Sequence, residues 1–242
     1  MILAAHQPHY FPWLGYLDKM AKADVFVISD KSQLSLKSPM RRNKVLRADG
    51  KEAMLTLSIA DIKSHEHKTC DELLLSNYAD TRKSHKGIIQ TNYRNAPYYS
   101  EVMPYVADYF DTDFERYVDA ALASVTLLRD LYGVRTPIVL QSEMRYDPLL
   151  KNNELIIDFC EQLKADRYLS GNGARKYMDL DVYSQHGIKV AYQVFEYPVY
   201  PQFGQAEFTP NLSALDMLFQ LGIEGARMAF RDNMKHEEWE DE

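Results

Sequence analysis

The chain has 242 residues, 46% of them hydrophobic and 26% charged, which is enough to bury a substantial core. Its formal net charge of −7 argues against a general electrostatic grip on nucleic acid. Two cysteines cannot build a disulfide framework and do not have zinc-ligand spacing, and Cys160 in "LIIDFCEQL" reads as a core filler.

In chain order, "ILAA" reads as a short buried strand and "ADVFVISD" as a second, ending on Asp30. Between them "LGYLDKMAKA" is helix-compatible, with Leu14, Leu17 and Met20 on one face. Strand, short crossover and strand is the arithmetic of a parallel βαβ start. Asp49-Gly50 signals a type I′ hairpin, followed by Leu55, Leu57 and Ile59 alternating with Thr56 and Ser58. Helices are expected near 83–92 and 98–110. A longer helix is expected over 113–132, opened by a Thr112/Glu115 capping box and stopped by Gly133. "TPIVLQSEM" then reads as a strand, 152–164 as a helix, "RYLSG" and "KVAYQVF" as strands, and 211–222 as a last helix. The acidic end "HEEWEDE" reads as a frayed tail. The fold class this predicts is α/β, a largely parallel, Rossmann-like sheet flanked by helices. It carries an antiparallel hairpin and helical insertion near residues 40–110, all within one domain spanning 1–242. The chain opens on no charged-then-apolar leader, and no apolar run approaches the ~18 residues of a membrane span, so a cytoplasmic protein is expected.

In an open parallel sheet, ligands bind beyond the carboxyl ends of the strands. The residues that follow each expected strand are therefore the candidates. They are His6, Gln7 and His9; Asp30, Ser32 and Gln33; Ser142 and Glu143; Ser170, Gly171, Asn172 and Gly173; and Tyr197, Tyr200 and Gln202. His6 and His9 have the spacing of the HxGH element of nucleotidyltransferases, with Pro8 where the glycine would be. Arg42 and Asn43 stand in a basic run whose arginines suit phosphate or carboxylate. In "YLSGNGARKYMD" two glycines turn the chain ahead of an expected helix start, with Arg175 able to add a charge-assisted bond to an anion. His65-Glu66-His67 has the alternation of a metal seat on an extended strand, but lies in a polar loop between lysines; no metal site is nominated.

Several segments together resemble the WbqC-like protein family: "HQPHYFPWLGYLDKMAKADVFVISD", "RNK", "YLSGNGARKYMD", "YPQF" and "LSALDMLFQLG", in that order along nearly the whole chain. One departure is Arg41-Arg42-Asn43, where the family pattern commonly reads Asn-Arg-Asn. The resemblance implies a place in surface-polysaccharide, O-antigen-type biosynthesis, with aminoacyl or acyl transfer to a sugar as one suggested activity. It implies a site from His6, Gln7, Asp30, Gln33, Arg42, Asn43, Ser170, Gly171 and Gly173. On that basis the leading expectation is a transferase for a small polar acceptor, with a sugar- or nucleotide-linked substrate. His6 serves as general base, Asp30 orients it or binds the acceptor, and Arg42 and the glycine turn hold an anionic donor. An ATP-dependent adenylate-forming or nucleotidyltransferase-like enzyme and a non-enzymatic small-ligand-binding protein stay open beside it. No cofactor and no oligomeric state is specified by the sequence.

Overall fold

The computed structural model describes residues 1–34, 39–60, 68–237 and 239. The chain runs β1 (Ile2–His6), α1 (Leu14–Ala21), β2 (Val25–Ile28), then the hairpin strands β3 (Arg42–Leu46) and β4 (Glu52–Thr56). Three helices follow, α2 (Tyr78–Tyr93), α3 (Tyr99–Asp111) and α4 (Tyr117–Leu131). The rest alternates: β5 (Ile138–Leu140), α5 (Asn152–Leu163), β6 (Arg167–Ser170), α6 (Leu180–Gln185), β7 (Lys189–Tyr192) and α7 (Leu215–Asp232).

The five sheet strands are all parallel, in the order β5-β2-β1-β6-β7, and β3-β4 form a separate antiparallel pair. This is the expected α/β class with its hairpin. Period-two alternation divides the sheet between two layers. Ala4, Phe26, Ile28, Leu169 and Ala191 face a large core shared with α1, the hairpin, α2, α3, α4 and α7. Leu3, Ala5, Val25, Val27, Tyr168 and Val190 face a smaller one under α5 and α6. Cys160 is fully buried in the second. Among the described residues, no helix is long and apolar enough to cross a membrane.

Four local expectations are corrected. The hairpin turn spans residues 47–51, with Gly50 N–H donating to Arg47 O at 3.0 Å and Gly50 at φ 80°. Asp49 keeps a negative φ, so the connection is a longer loop with a left-handed glycine, not a two-residue type I′ turn. The Thr112/Glu115 capping box does not form, because the Thr112 hydroxyl donates back to Asp108 O and closes α3. The last helix does not stop at 222. Gly222 kinks it at φ 73°, where a Cβ would collide with Tyr98, and the Glu101 carboxylate caps the resumed helix through Ile223 N–H at 3.1 Å. Finally, the acidic end is tied down as far as Glu237, which accepts from Lys22 Nζ at 2.6 Å and from Val194 N–H at 3.2 Å.

Two buried polar clusters hold the layers in register. Asp216, fully buried at the start of α7, accepts from Tyr93 OH at 2.7 Å, Tyr200 OH at 2.9 Å and Gln202 Nε2 at 2.9 Å. The Tyr93 hydroxyl also accepts from Leu46 N–H at 2.9 Å, so the hairpin, α2 and α7 meet at one carboxylate. In the second cluster, Thr56 N–H donates to His85 Nε2 at 3.1 Å and the other ring nitrogen contacts Tyr10 OH at 2.9 Å. Accepting at Nε2 fixes the neutral tautomer. Burial accordingly lowers His85 to about 4, as it lowers His9 to about 4 and His6 to about 3.

Asp216→Ala strands three buried donors at once, and should cost at least about 3 kcal/mol in denaturant unfolding. A loss under about 1 kcal/mol would remove the carboxylate's structural role. The three histidines give a pH dependence of defined sign. Their folded values lie below the ordinary 6.5, so between about pH 6.5 and 4 the unfolded chain binds protons that the folded rings refuse. Stability should fall as pH drops through this window, by about 1.4 kcal/mol per pH unit for each ring. His85→Gln, which keeps an acceptor for Thr56, should remove about one proton from the slope.

Candidate functional site

The strand order places the reversal of chain winding between β1 and β6, since the chain proceeds outward through β2 and β5 on one side and β7 on the other. At such a switch point the connections leave in opposite directions, opening a crevice beyond the strand ends. A cavity of about 580 Å³ lies there, lined by the residues that end both strands: Ala5, His6 and Gln7 from β1, and Ser170 and Gly171 from β6. Ser29, Ser32 and Met40 close one flank. Asn152, Asn153, Leu155, Ile156, Tyr168, Tyr177, Met178 and Tyr183 make a more apolar opposite wall. The volume suits a ligand of ordinary metabolite size.

His6 is held firmly. Its Nδ1 lies 3.2 Å from Gln7 O, and its ring packs against Tyr16 with centroids 4.8 Å apart. A carbonyl oxygen only accepts, so in the neutral ring the proton sits on Nδ1 and Nε2 keeps its lone pair. Burial is the main cause of the depressed pKa, with the Lys19 charge adding to it and His9 contributing less.

Lys19 is the residue that the sequence reading passed over. The helical face formed by Leu14, Leu17 and Met20 does not include it, yet every residue from Leu14 to Met20 is buried. Its neighbour Asp18 turns to Gln193 and Lys22, while Lys19 Nζ donates to Ala5 O at 2.8 Å and reaches the cavity. Burial lowers its ammonium to about 8. The available signal was brevity: an eight-residue crossover between two central strands has little surface to give to solvent.

Six sequence-derived candidates meet at the cavity: His6, Gln7, Ser32, Ser170, Gly171 and Gly173. A Cβ on Gly173 would meet nothing within 4 Å, so the chain here is open toward the cavity. The segment after it forms a 3-10 turn over Asn172–Lys176 instead of an α-helix start, which removes the expected helix-end anion seat. The other candidates lie apart. His9 is buried, with Nδ1 3.2 Å from Tyr10 O, and does not line the cavity, so the two histidines do not form a phosphate clamp. Asp30 is buried beside the cavity, and its carboxylate accepts from Ser142 N–H at 2.9 Å and Ser142 Oγ at 2.5 Å, not from His6. Gln33 is exposed and bridges to Thr69.

Asn43 donates to Phe11 O at 2.6 Å and so fixes the opening loop, while Arg42 sits on β3, outside the lining. Asn172 donates to Gln193 O at 2.8 Å. The Arg175 guanidinium lies 4.0 Å over the Tyr192 ring. Tyr200 and Gln202 are committed to Asp216. Among the described residues no cluster of three His, Cys, Asp or Glu could hold a metal, and the 65–67 triplet lies outside those residues. Asn152 adds a feature that spacing does not reveal: it opens α5 at φ 50°, a left-handed conformation, on the cavity wall.

Comparison with known proteins agrees with the sequence resemblance. The chain is 29% identical over 227 residues to the uncharacterized protein Rv1507c of Mycobacterium tuberculosis, covering 92% of this chain and 94% of that one. No solved structure matches it. The model of the WbqC-like protein family matches residues 7–228, and the chain therefore belongs to the WbqC-like protein family.

Proposed function

We propose that this protein is a transferase of surface-polysaccharide, O-antigen-type biosynthesis, moving an acyl or aminoacyl group onto a sugar or similar small polar acceptor. The reaction site is the cavity between the ends of β1 and β6, and His6 is its general base. The observation that carries the reading is the state of His6, an imidazole with its proton fixed on Nδ1 and an unprotonated Nε2 at a switch-point cavity. Burial holds the ring at about 3, so it serves as a base when a bound ligand offsets the neighbouring Lys19 charge and raises it; Nε2 then takes a proton from an acceptor hydroxyl or amine as the group is transferred. Gln7 and the Ser170 hydroxyl are the nearby polar groups suited to orient the acceptor, and Tyr177 and Tyr183 offer ring faces for its body. The nucleotidyltransferase reading loses its main support, because His9 lies off the cavity and no arginine lines it. The transferring role of Arg42, Asn172 and Arg175 in holding a donor is likewise not part of this proposal.

The test is made on the product. Deleting the gene in its host should remove one acyl or aminoacyl substituent from the surface polysaccharide, as read by mass spectrometry of the repeat unit. The wild-type gene should restore it. His6→Gln, expressed at the same level, should restore about 1% or less, in line with the loss of a general base. An unaltered polysaccharide in the deletion strain would sink the pathway assignment, and full restoration by His6→Gln would sink the base.

A further inference from the structure

The cavity holds one buried cation that the general-base reading does not use. Lys19 is 4% exposed, and its ammonium has three N–H donors, of which one goes to Ala5 O at 2.8 Å. Among the described residues no carboxylate pairs with it, and no acidic side chain lines the cavity, in a chain whose net charge is −7. A buried ammonium without a counter-ion is strongly unfavourable unless something that binds there compensates it. The surroundings leave room for that partner. A Cβ at Gly171 would stand 4.0 Å from Lys19 Nζ, so the missing side chain keeps space open beside the charge, and Gly173 is open as well. Leu155, Ile156 and Met178 supply apolar side chains to the lining. The charge count narrows the anion. One lysine is a point charge that matches a single negative charge, whereas phosphate groups are commonly met by arginine forks or several donors, and no arginine lines this cavity.

We propose that Lys19 is the anchor for a carboxylate, so that the cavity takes a small molecule bearing one carboxylate, seated on Lys19 Nζ beside Gly171 with its apolar body toward Ile156 and Met178. The inference rests on reading this cavity as the reaction site, and it does not require His6 to be a base. It also links the two residues: a bound carboxylate offsets the Lys19 charge that helps hold His6 unprotonated, and so makes His6 a better proton acceptor once the ligand is in place.

Thermal unfolding tests it with simple probes. Wild type and Lys19→Met are compared in sodium acetate, sodium isobutyrate and sodium phosphate, each against sodium chloride at equal ionic strength. The rise in Tm of wild type beyond that of Lys19→Met, a difference that cancels the general stabilisation by excluded anions such as phosphate, should be larger for isobutyrate than for acetate and near zero for phosphate. Lys19→Met should melt higher than wild type in chloride, since an uncompensated charge has been removed. It should bind isobutyrate at least about tenfold more weakly, the loss of one charge-assisted contact. No excess of the wild-type shift over that of Lys19→Met with the carboxylates, or a larger excess with phosphate, would each overturn the anchor. A Lys19→Met protein less stable than wild type would assign the lysine to structure and overturn it too. His6→Gln run in parallel should keep the carboxylate shift, so this experiment can fail while the polysaccharide result stands, and the reverse.

Discussion

Everything at the cavity depends on how the backbone of residues 8–12 is satisfied once it leaves the sheet. This stretch is almost entirely buried, so each of its peptide groups needs a partner inside the protein. Pro8 O accepts from Tyr117 OH at 2.7 Å, Tyr10 N–H donates to Met40 O at 2.8 Å, and Phe11 N–H donates to Ser124 Oγ at 2.9 Å. Phe11 O is taken by Asn43 and Pro12 O by Ala214 N–H at 2.9 Å. The partners come from the hairpin, α4 and the approach to α7, so distant segments converge on one loop. Phe11 adopts φ 42° to make these bonds, a strained choice for a bulky residue that the surrounding contacts must outweigh. Trp13 then lies across the start of α1, where Gly15 leaves the space its ring occupies. His6 is at the head of this pinned loop, which explains how a side chain at a strand end can be held still.

The electrostatics of the site follow from the same burial. Two basic groups, His6 and Lys19, share one low-dielectric cavity: burial disfavours the charged form of both, and the Lys19 charge further disfavours protonation of His6. The protein resolves the conflict by keeping the imidazole neutral and giving the ammonium a backbone carbonyl. Asp30, just beyond the end of β2, accepts from Ser142 and does not neutralise either group.

The layers of this fold were legible because they rest on short-range pattern. Strand runs such as "VFVI" are apolar on both faces because both faces are covered, and the alternation of Leu55, Leu57 and Ile59 is that of a sheet with one buried side. The carboxyl-edge rule then located His6, Gln7, Ser32, Ser170, Gly171 and Gly173. What was not legible is what tertiary packing decides. Tyr200 and Gln202 follow the last strand as a site residue would, but a buried carboxylate on α7 claims both. Thr112 and Glu115 have capping spacing, yet Thr112 finds Asp108 O first. Lys19 lies off the apolar stripe that helical period picks out, and only the packing of α1 buries it. The far wall, with Asn152 and Tyr177, comes from loops and a helix start whose position no local pattern encodes.

The seam between β1 and β6 has a consequence for how the protein is made. β1 meets β2 across a single short crossover, but its other neighbour is β6, and Ile2 pairs with Arg167. Closing that second edge requires most of the chain to be ordered or looped out, so it is among the costliest contacts in loop entropy and among the slowest to form. A chain emerging from the ribosome can build the hairpin, α2, α3 and α4 while the strand carrying His6 still has one open edge. The binding crevice therefore exists only once β6 has docked against β1.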